Sequence, residues 1–368
     1  MDNSNVTVLM TTSKITEFAT PYEFTWEPVV WTWWLVCQLV LALVGLFGNV
    51  IVIIIYSRKN RLKSATNMFI MALASADMIS SITLIPLPSA KTTTNGIIGQ
   101  LYCKVVHSNV ILWISIVASI FTLTVISVER YFAVVFPIRY RNVFSKSRPK
   151  VVILLVWITS FIINSFSYFV TYRDPATAGC VVDFRTPFIQ AAIGTTLFFL
   201  EYFIPVVIMV STQVITINRL RQQAKPIVGA ENAGPGNKQR ANAFMLKARK
   251  KVIQMLFLVI LTFITCWTPD QVAFLVFNLG YVEPQYLGGN LYRMFIALAF
   301  TNSCANPLIY TMSNPQFRDA LRQLLNVQKK RIFPFTIGGA SGNTENTSAD
   351  APLPTGVDAL EAQGGAME

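Results

Sequence analysis

Long apolar stretches alternate with short polar segments along most of this chain. A helix needs about 20 predominantly apolar residues to cross the hydrocarbon core of a bilayer. Several stretches reach that length. Alternation of apolar and polar residues with a period of two is absent, so a transmembrane β-barrel is disfavoured. The pattern therefore predicts an all-α membrane protein built as a seven-transmembrane helix bundle. The predicted spans are 31–56, 66–89, 104–135, 150–171, 188–217, 252–279 and 291–312.

The segments that flank the bundle, which we place at 31–312, differ from it in composition. Residues 1–30 are polar and acidic. Residues 313–327 predict a short amphipathic helix lying on the membrane surface, because Phe317 and the leucines that follow it share one helical face. Residues 334–368 are rich in Gly, Ala, Thr and Ser, and we expect a disordered tail over 328–368.

Charge predicts the orientation of the bundle. Apolar residues make up 53% of the chain and charged residues only 13%, which is below the quarter typical of soluble domains. Most Lys and Arg residues lie in 58–65, 136–150, 219–251 and 313–331. The positive-inside rule then predicts an extracellular N-terminus and a cytoplasmic C-terminus. Because these basic residues flank apolar spans, the net charge of +12 does not indicate nucleic-acid binding.

Three short motifs lie in order within the third, sixth and seventh spans. They are Glu129-Arg130-Tyr131, Cys266-Trp267-Thr268-Pro269 and Asn306-Pro307-Leu308-Ile309-Tyr310. Together they resemble the rhodopsin-like (class A) G-protein-coupled receptors, and the resemblance covers roughly 31–327. The stretches 66–77 and 119–129 are most similar to neuropeptide receptors of the galanin, somatostatin and allatostatin type. The resemblance implies a plasma-membrane receptor, not an enzyme, that binds an extracellular ligand and activates a heterotrimeric G protein.

The resemblance also implies a set of switch residues. Arg130 would pair with Glu129 at rest and be freed to meet the G protein, and no acid at 247–251 is available as a second partner. A proline bends a helix because it removes a backbone hydrogen bond. Trp267 beside Pro269 is therefore a candidate hinge, with aromatic packing as the alternative. The remaining candidates are Tyr131, Pro205, Ile120, Phe263, Pro307 and Tyr310.

Asp77 lies in the middle of the second span, where an ionised side chain is costly and is a functional candidate by default. A carboxyl that is merely hydrogen-bonded within the bundle is the alternative. The resemblance implies a sodium ion here as an allosteric modulator, with oxygen ligands, and no other cofactor. The partners that it implies are Ser119, Asn302, Ser303 and Asn306.

The outer side carries two expected modifications. Of the five cysteines, Cys103 and Cys180 map outside the apolar spans on that face, and the resemblance implies a disulfide between them. Asn5 begins an Asn-Val-Thr glycosylation sequon. Cys103 lies 27 residues before Arg130, two more than is usual in relatives, so we expect a shift or bulge at the top of the third span.

Candidate ligand contacts are less well defined. Asp270 and Glu201 lie in the outer halves of their spans, and a cationic ligand group would compensate such charge. Local hydrogen bonding of either acid is the alternative. An extracellular peptide is the expected ligand, with a small amine or other small cation as the rival. A transporter or channel is disfavoured because no inverted repeat is visible. Further candidates are Gln271, Trp113, Asn109, His107, Tyr292 and Trp267.

Overall fold

The computed structural model describes residues 23–58, 64–144, 148–229 and 237–332. Within these ranges the chain is almost wholly helical and also forms two short antiparallel strand pairs. Two π-helical turns, Tyr102–His107 and Phe198–Phe203, interrupt the third and fifth spans. The α-helices are Trp33–Tyr56, Ala65–Thr83, Ile97–Leu101, Val110–Val135, Pro137–Val143, Arg148–Asn164, Phe166–Val170, Pro187–Leu197, Ile204–Gly229, Asn237–Asn278, Asn290–Ser313 and Pro315–Ile332.

The long helices pack as a bundle of seven spans, numbered in chain order. The first span contacts the second and the seventh, and the sixth contacts the fifth and the seventh. The third span, which runs over Ile97–Val135, contacts the second, fourth and fifth. The fourth span contacts the third and the second, and the third packs against neighbours on several sides.

Six of the described spans are long and apolar enough to cross a membrane. The seventh, Asn290–Ser313, is of similar length but less apolar, because polar side chains such as Asn302 and Asn306 interrupt it. Both asparagines are buried, so this span turns its polar groups toward the bundle. A helix of this kind is stabilised by its neighbours rather than by lipid alone.

The second span is shorter than predicted. Its helix ends at Thr83 rather than near residue 89. Pro86 and Pro88 follow within two turns, and proline disfavours helix both at its own position and at the residue before it. The chain then becomes extended, and Ser89–Thr92 pairs with Thr25–Glu27. This pairing attaches the end of the N-terminal segment to the outer end of the second span.

Other helix ends also differ from the predicted span boundaries. The fourth span begins at Arg148 and breaks at Ser165 before a short helix ending at Val170. The helix predicted to end at 217 continues to Gly229. The helix predicted to begin at 252 already starts at Asn237. Apolar length therefore marks only the part of each helix that lies in lipid.

The top of the third span contains the expected bulge. The helix begins at Ile97, widens into the π-helical turn Tyr102–His107, and resumes at Val110. A π turn closes i to i+5 hydrogen bonds and so accommodates an extra residue. Asn109, at φ 52°, adopts the left-handed conformation between the two helical parts. These two features absorb the longer spacing between Cys103 and Arg130.

The helix after the seventh span is longer than predicted and runs over Pro315–Ile332. Phe317 is buried, with its ring 6.1 Å from that of Tyr56 and 6.2 Å from that of Tyr310. Leu325 on the same helix is exposed. Residues 328–332, expected in the disordered tail, are helical, so that boundary was wrong. The tail from 333 onward lies outside the described residues.

Candidate functional site

Asp270 is a buried acid with few partners. It follows Pro269 within the sixth span and is 5% exposed. Its one hydrogen bond to another side chain comes from Gln271, whose Nε2 lies 3.5 Å from Asp270 Oδ2. Among the described residues, no Lys or Arg forms a salt bridge with it. Trp267, one turn inward, is buried and its Nε1 has no partner in the described part of the chain.

Glu201 also has few partners among the described residues. It lies in the π-helical turn Phe198–Phe203, just before Pro205. Its Oε1 is buried and accepts no hydrogen bond from any described residue. The next residue, Tyr202, hydrogen-bonds through its hydroxyl to the hydroxyl of Thr268 and so ties the fifth span to the sixth. The two acids therefore lie on neighbouring spans, and neither forms a salt bridge with any described Lys or Arg.

Aromatic residues border this outer region. The rings of Tyr286 and Tyr292 meet at 5.5 Å. Burial, together with the charge of Asp270, raises the pKa of Tyr286. Trp113 packs against the central hydrophobic core. Tyr286, on the loop before the seventh span, is a residue that the sequence analysis missed, because nothing in its local pattern relates it to Asp270.

Two predicted ligand residues lie at the outer rim rather than in the buried region. His107 ends the π-helical turn and Asn109 follows it, and both side chains are exposed. Asn109 donates to the His107 carbonyl oxygen at 3.4 Å. No described hydrogen bond or ring contact joins either of them to Asp270. The bulge turns this segment away from the positions that an uninterrupted helix would give it.

The disulfide between Cys103 and Cys180 is present, with Cα atoms 5.3 Å apart. Cys103 belongs to the π-helical turn, and Cys180 begins the strand Cys180–Val182, which pairs with Thr171–Arg173. The disulfide therefore links the loop after the fourth span to the top of the third. Asn5, the predicted glycosylation site, lies outside the described residues.

Asp77 is fully buried at the centre of the bundle and accepts hydrogen bonds from two other spans. Ser119 donates to Oδ1 at 2.7 Å, and Ser303 donates to the same oxygen at 3.1 Å. Asn306 Nδ2 donates to Oδ2 at 2.8 Å. Three of the four predicted partners therefore contact Asp77 directly.

Asn302, the fourth predicted partner, is buried near this group without a hydrogen bond to Asp77. Its Oδ1 has no partner among the described residues. Asn49 lies on the other side, and its Nδ2 donates to the carbonyl oxygens of Gly45 and Ser303. The described residues contain no group of three or more His, Cys, Asp or Glu side chains that could hold a metal ion. A cation at Asp77 would rely on one carboxylate together with neutral oxygens.

Glu129, at the inner end of the third span, is also fully buried and well satisfied. Arg130 Nε donates to Oε2 at 2.6 Å and its NH2 group donates to Oε1 at 3.1 Å. Tyr140 and Thr66 donate to Oε1 at 2.6 and 2.9 Å. The predicted pair between Glu129 and Arg130 is thus present, and no other carboxylate among the described residues pairs with Arg130.

Tyr140 and Thr66 were missed by the sequence analysis. Tyr140 lies on the short helix Pro137–Val143, and burial together with the neighbouring charge of Glu129 raises its pKa. Thr66 begins the second span, 63 residues before Glu129. No linear motif relates either residue to Glu129. Pro137 is a local signal only for the start of the helix that carries Tyr140.

The remaining switch candidates belong to one packed core. Ile120, Phe263 and Trp267 are buried in the same hydrophobic cluster. Tyr202 joins this cluster through its ring, 6.2 Å from that of Phe263. Pro205 is also buried, and Pro307 lies inside the seventh helix. Tyr131 instead packs at the inner edge against the rings of Phe132 and Phe136.

A buried glutamine joins the inner halves of the fifth and sixth spans. Gln213 is 5% exposed, and its Nε2 donates to the carbonyl oxygen of Ile253 at 2.9 Å. The glutamine therefore makes a direct contact between two spans that the sequence alone did not reveal.

The bundle of seven spans thus combines a central buried acid, an inner ion pair that includes the buried Glu129, and a proline within the sixth span. The family described as 7 transmembrane receptor (rhodopsin family) matches residues 48–310. The chain therefore belongs to this family of class A receptors, which signal through heterotrimeric G proteins and are not enzymes. It is a multi-pass membrane protein.

Three relatives illustrate where the chain falls within the family. Galanin receptor 2a of Danio rerio is 29% identical over 286 residues, which cover 77% of this chain and 75% of that receptor. Somatostatin receptor type 4 of Rattus norvegicus is 28% identical over 330 residues, covering 88% and 78%. The Allatostatin-A receptor of Bombyx mori is 26% identical over 300 residues, covering 77% of each. The predicted resemblance to receptors of this type is confirmed.

Proposed function

We propose that this receptor lies in the plasma membrane with its N-terminus outside and that an extracellular peptide activates it. The distribution of Lys and Arg supports this orientation. The Cys103–Cys180 disulfide also suits an extracellular location for the loop that carries it. The names of the galanin, somatostatin and allatostatin-A receptors support a peptide as the ligand.

The observation that carries the ligand chemistry is the pair of poorly partnered acids, Asp270 and Glu201. Desolvating an ionised carboxylate costs several kcal/mol, and a partner must offset this cost. The described residues supply Asp270 with one long hydrogen bond from Gln271, and Glu201 Oε1 with none. A Lys or Arg side chain, or an amino terminus, would supply the missing charge. The ligand therefore carries a positive group that binds at Asp270.

Replacing Asp270 tests this proposal. Asp270→Asn keeps the shape of the side chain and removes its charge, so agonist potency should fall at least about tenfold, or about 1.4 kcal/mol. Surface expression should not change. Glu283→Gln is the control, because Glu283 is an exposed acid on the outer loop. Equal potency in wild type and Asp270→Asn would show that the pocket does not bind a cation at this acid.

The agonist for that experiment comes from screening. Cells that express this chain with a promiscuous G protein would be exposed to peptide and amine libraries, and nucleotide exchange would be measured. An active peptide with a basic group supports the proposal. Activity confined to small amines would instead establish the rival ligand class. Leu112 is buried on the third span below the outer rim. Because Leu112 is apolar, the third span offers no acid at this position that could pair with a small amine.

We also propose that a sodium ion binds at Asp77 and favours the resting state. The donor set fits, because sodium prefers oxygen ligands. The Asp77 carboxylate and the hydroxyl oxygens of Ser119 and Ser303 lie together, and Asn302 contributes a buried, unpartnered Oδ1. Agonist affinity should then fall as sodium rises at constant ionic strength. Asp77→Asn should remove that dependence, and a wild-type receptor insensitive to sodium would contradict the proposal.

A further inference from the structure

An apolar groove opens on the outside of the bundle between the third, fourth and fifth spans. Its lower part has a volume of about 400 Å³ and is lined by Val125, Val152 and Ile208, with Phe144 and Arg148 at its inner end. A second part of about 270 Å³ continues from Val125 and Val152 toward the middle of the membrane. The two parts share Thr124, Val125 and Val152 among their lining residues and therefore adjoin each other.

The length of the groove matches one leaflet of a bilayer. It is bordered along the fourth span from Arg148 to Thr159. At 1.5 Å of rise per residue this distance is about 17 Å. Half of a hydrocarbon core of about 30 Å is about 15 Å. One acyl chain lying along the groove would therefore extend from the membrane edge to the bilayer midplane.

The inner end of the groove suits an anionic headgroup. Arg148 is exposed there and forms no salt bridge with any described residue. A guanidinium can bind a phosphate through two parallel hydrogen bonds. Arg148 is also the first residue of the helix Arg148–Asn164, whose positive end attracts an anion. An apolar channel that ends at a cation is the complement of an anionic amphiphile.

We propose that this groove binds one anionic phospholipid of the inner leaflet, with its phosphate at Arg148 and an acyl chain along Val152 and Val125. The cytoplasmic side of the membrane is rich in anionic lipids. The assignment of leaflet rests on the orientation proposed above. Binding itself does not, because the chemistry of the groove is the same in either leaflet.

The groove also touches the part of the receptor that holds the inner ion pair. Phe144, which lines it, packs its ring 5.3 Å from that of Tyr140. Tyr140 in turn donates to Glu129, the partner of Arg130. A lipid in the groove would therefore contact Phe144, and Phe144 packs against Tyr140, which donates a hydrogen bond to Glu129.

The test uses the full-length receptor in nanodiscs of phosphatidylcholine that contain a photoreactive phosphatidylserine, with the reactive group in its acyl chain. Cross-linking should label the peptides that contain Val125 and Val152. Unlabelled phosphatidylserine should displace the probe, and unlabelled phosphatidylcholine should not. Both leaflets of a nanodisc carry the same lipids, so the result does not depend on receptor orientation or on knowledge of the agonist.

Variants locate the headgroup. Arg148→Gln should reduce labelling about tenfold. The matched control is Lys150→Gln, an exposed cation of the same helix that does not line the groove, and its effect should stay within about twofold. Val152→Phe should block labelling by filling the channel. Both cations are exposed, so their replacement leaves the core intact even if Val152→Phe fails to fold.

Three results would overturn the proposal. Equal displacement by phosphatidylcholine would mean an ordinary boundary lipid. Equal loss in Arg148→Gln and Lys150→Gln would mean diffuse attraction to surface charge. Displacement by oleate but not by phosphatidylserine would mean that the groove binds a free fatty acid.

Discussion

Buried carboxylates at the centre and inner end of the bundle are partnered differently from those in its outer half. Asp77 and Glu129 are fully buried, and each accepts at least three hydrogen bonds from the chain. Asp270 is nearly as buried, yet it accepts one long hydrogen bond, and Glu201 Oε1 accepts none among the described residues. The chain itself thus supplies the partners of Asp77 and Glu129. Among the described residues, the two outer carboxylates have few partners.

The largest expected effect separates output from recognition. Arg130→Ala removes the group that the resting pair with Glu129 holds at the inner edge, so ligand-dependent nucleotide exchange should fall to background. Ligand binding should persist, because Arg130 lies at the inner end of the third span, whereas Asp270 lies in the outer half of the sixth span. Arg139→Ala, a change at an exposed cation of the nearby helix, is the control. Normal exchange by the Arg130 variant would contradict the role given to the inner half.

The outer half should depend on its disulfide. Cys103→Ser or Cys180→Ser should each lower the free energy of unfolding by about 2–5 kcal/mol and reduce surface expression. The double variant should be no worse than either single one, because both changes break the same bond. Thermal unfolding in detergent measures this. Additive losses would show that each cysteine acts on its own.

A smaller effect tests whether the outer acids await a ligand. Glu201→Gln removes a charge that the described residues do not pair, so the ligand-free receptor should gain on the order of 1 kcal/mol in stability. Agonist potency should fall in the same variant. A lower unfolding temperature would instead indicate that Glu201 already has a stabilising partner. Asp183→Asn, at an exposed acid of the outer loop, should change neither quantity.

The smallest effect concerns the contact between Gln213 and Ile253. Gln213→Leu keeps the site filled but removes one hydrogen bond, worth about 1 kcal/mol. If that bond favours the closed inner half, basal nucleotide exchange should rise by up to about fivefold. Ser211→Ala, an exposed change two residues away, should leave basal exchange as it is. Lower basal exchange in Gln213→Leu would mean that the glutamine supports the active state.

Much of the architecture follows from the sequence, because apolar length and proline position act locally. The seven spans could be predicted, as could a bulge before Val110 from the long spacing between Cys103 and Arg130. The end of the second span could also have been predicted had Pro86 and Pro88 been weighed against apolar length. Helix ends beyond the membrane could not, because hydropathy does not mark them.

The candidate sites were predictable only where a motif carries them. Asp77, Ser303 and Asn306 meet as expected because their spans pack in a fixed order. Tyr140 and Thr66 were missed because contacts between separate spans depend on how helices rotate about their axes. Position in a sequence does not determine that rotation.

The π-helical turn at Tyr102–His107 limits how far residue roles can be transferred from relatives. Inward of Val110 the third span keeps a regular helical register, so a position aligned with a relative faces the same neighbours. Outward of Asn109 that register is broken. An alignment without a gap would therefore place each side chain on the wrong face of the helix. Residues that determine ligand selectivity in another receptor should therefore have the same effect in this chain at positions inward of the bulge, but not at positions outward of it.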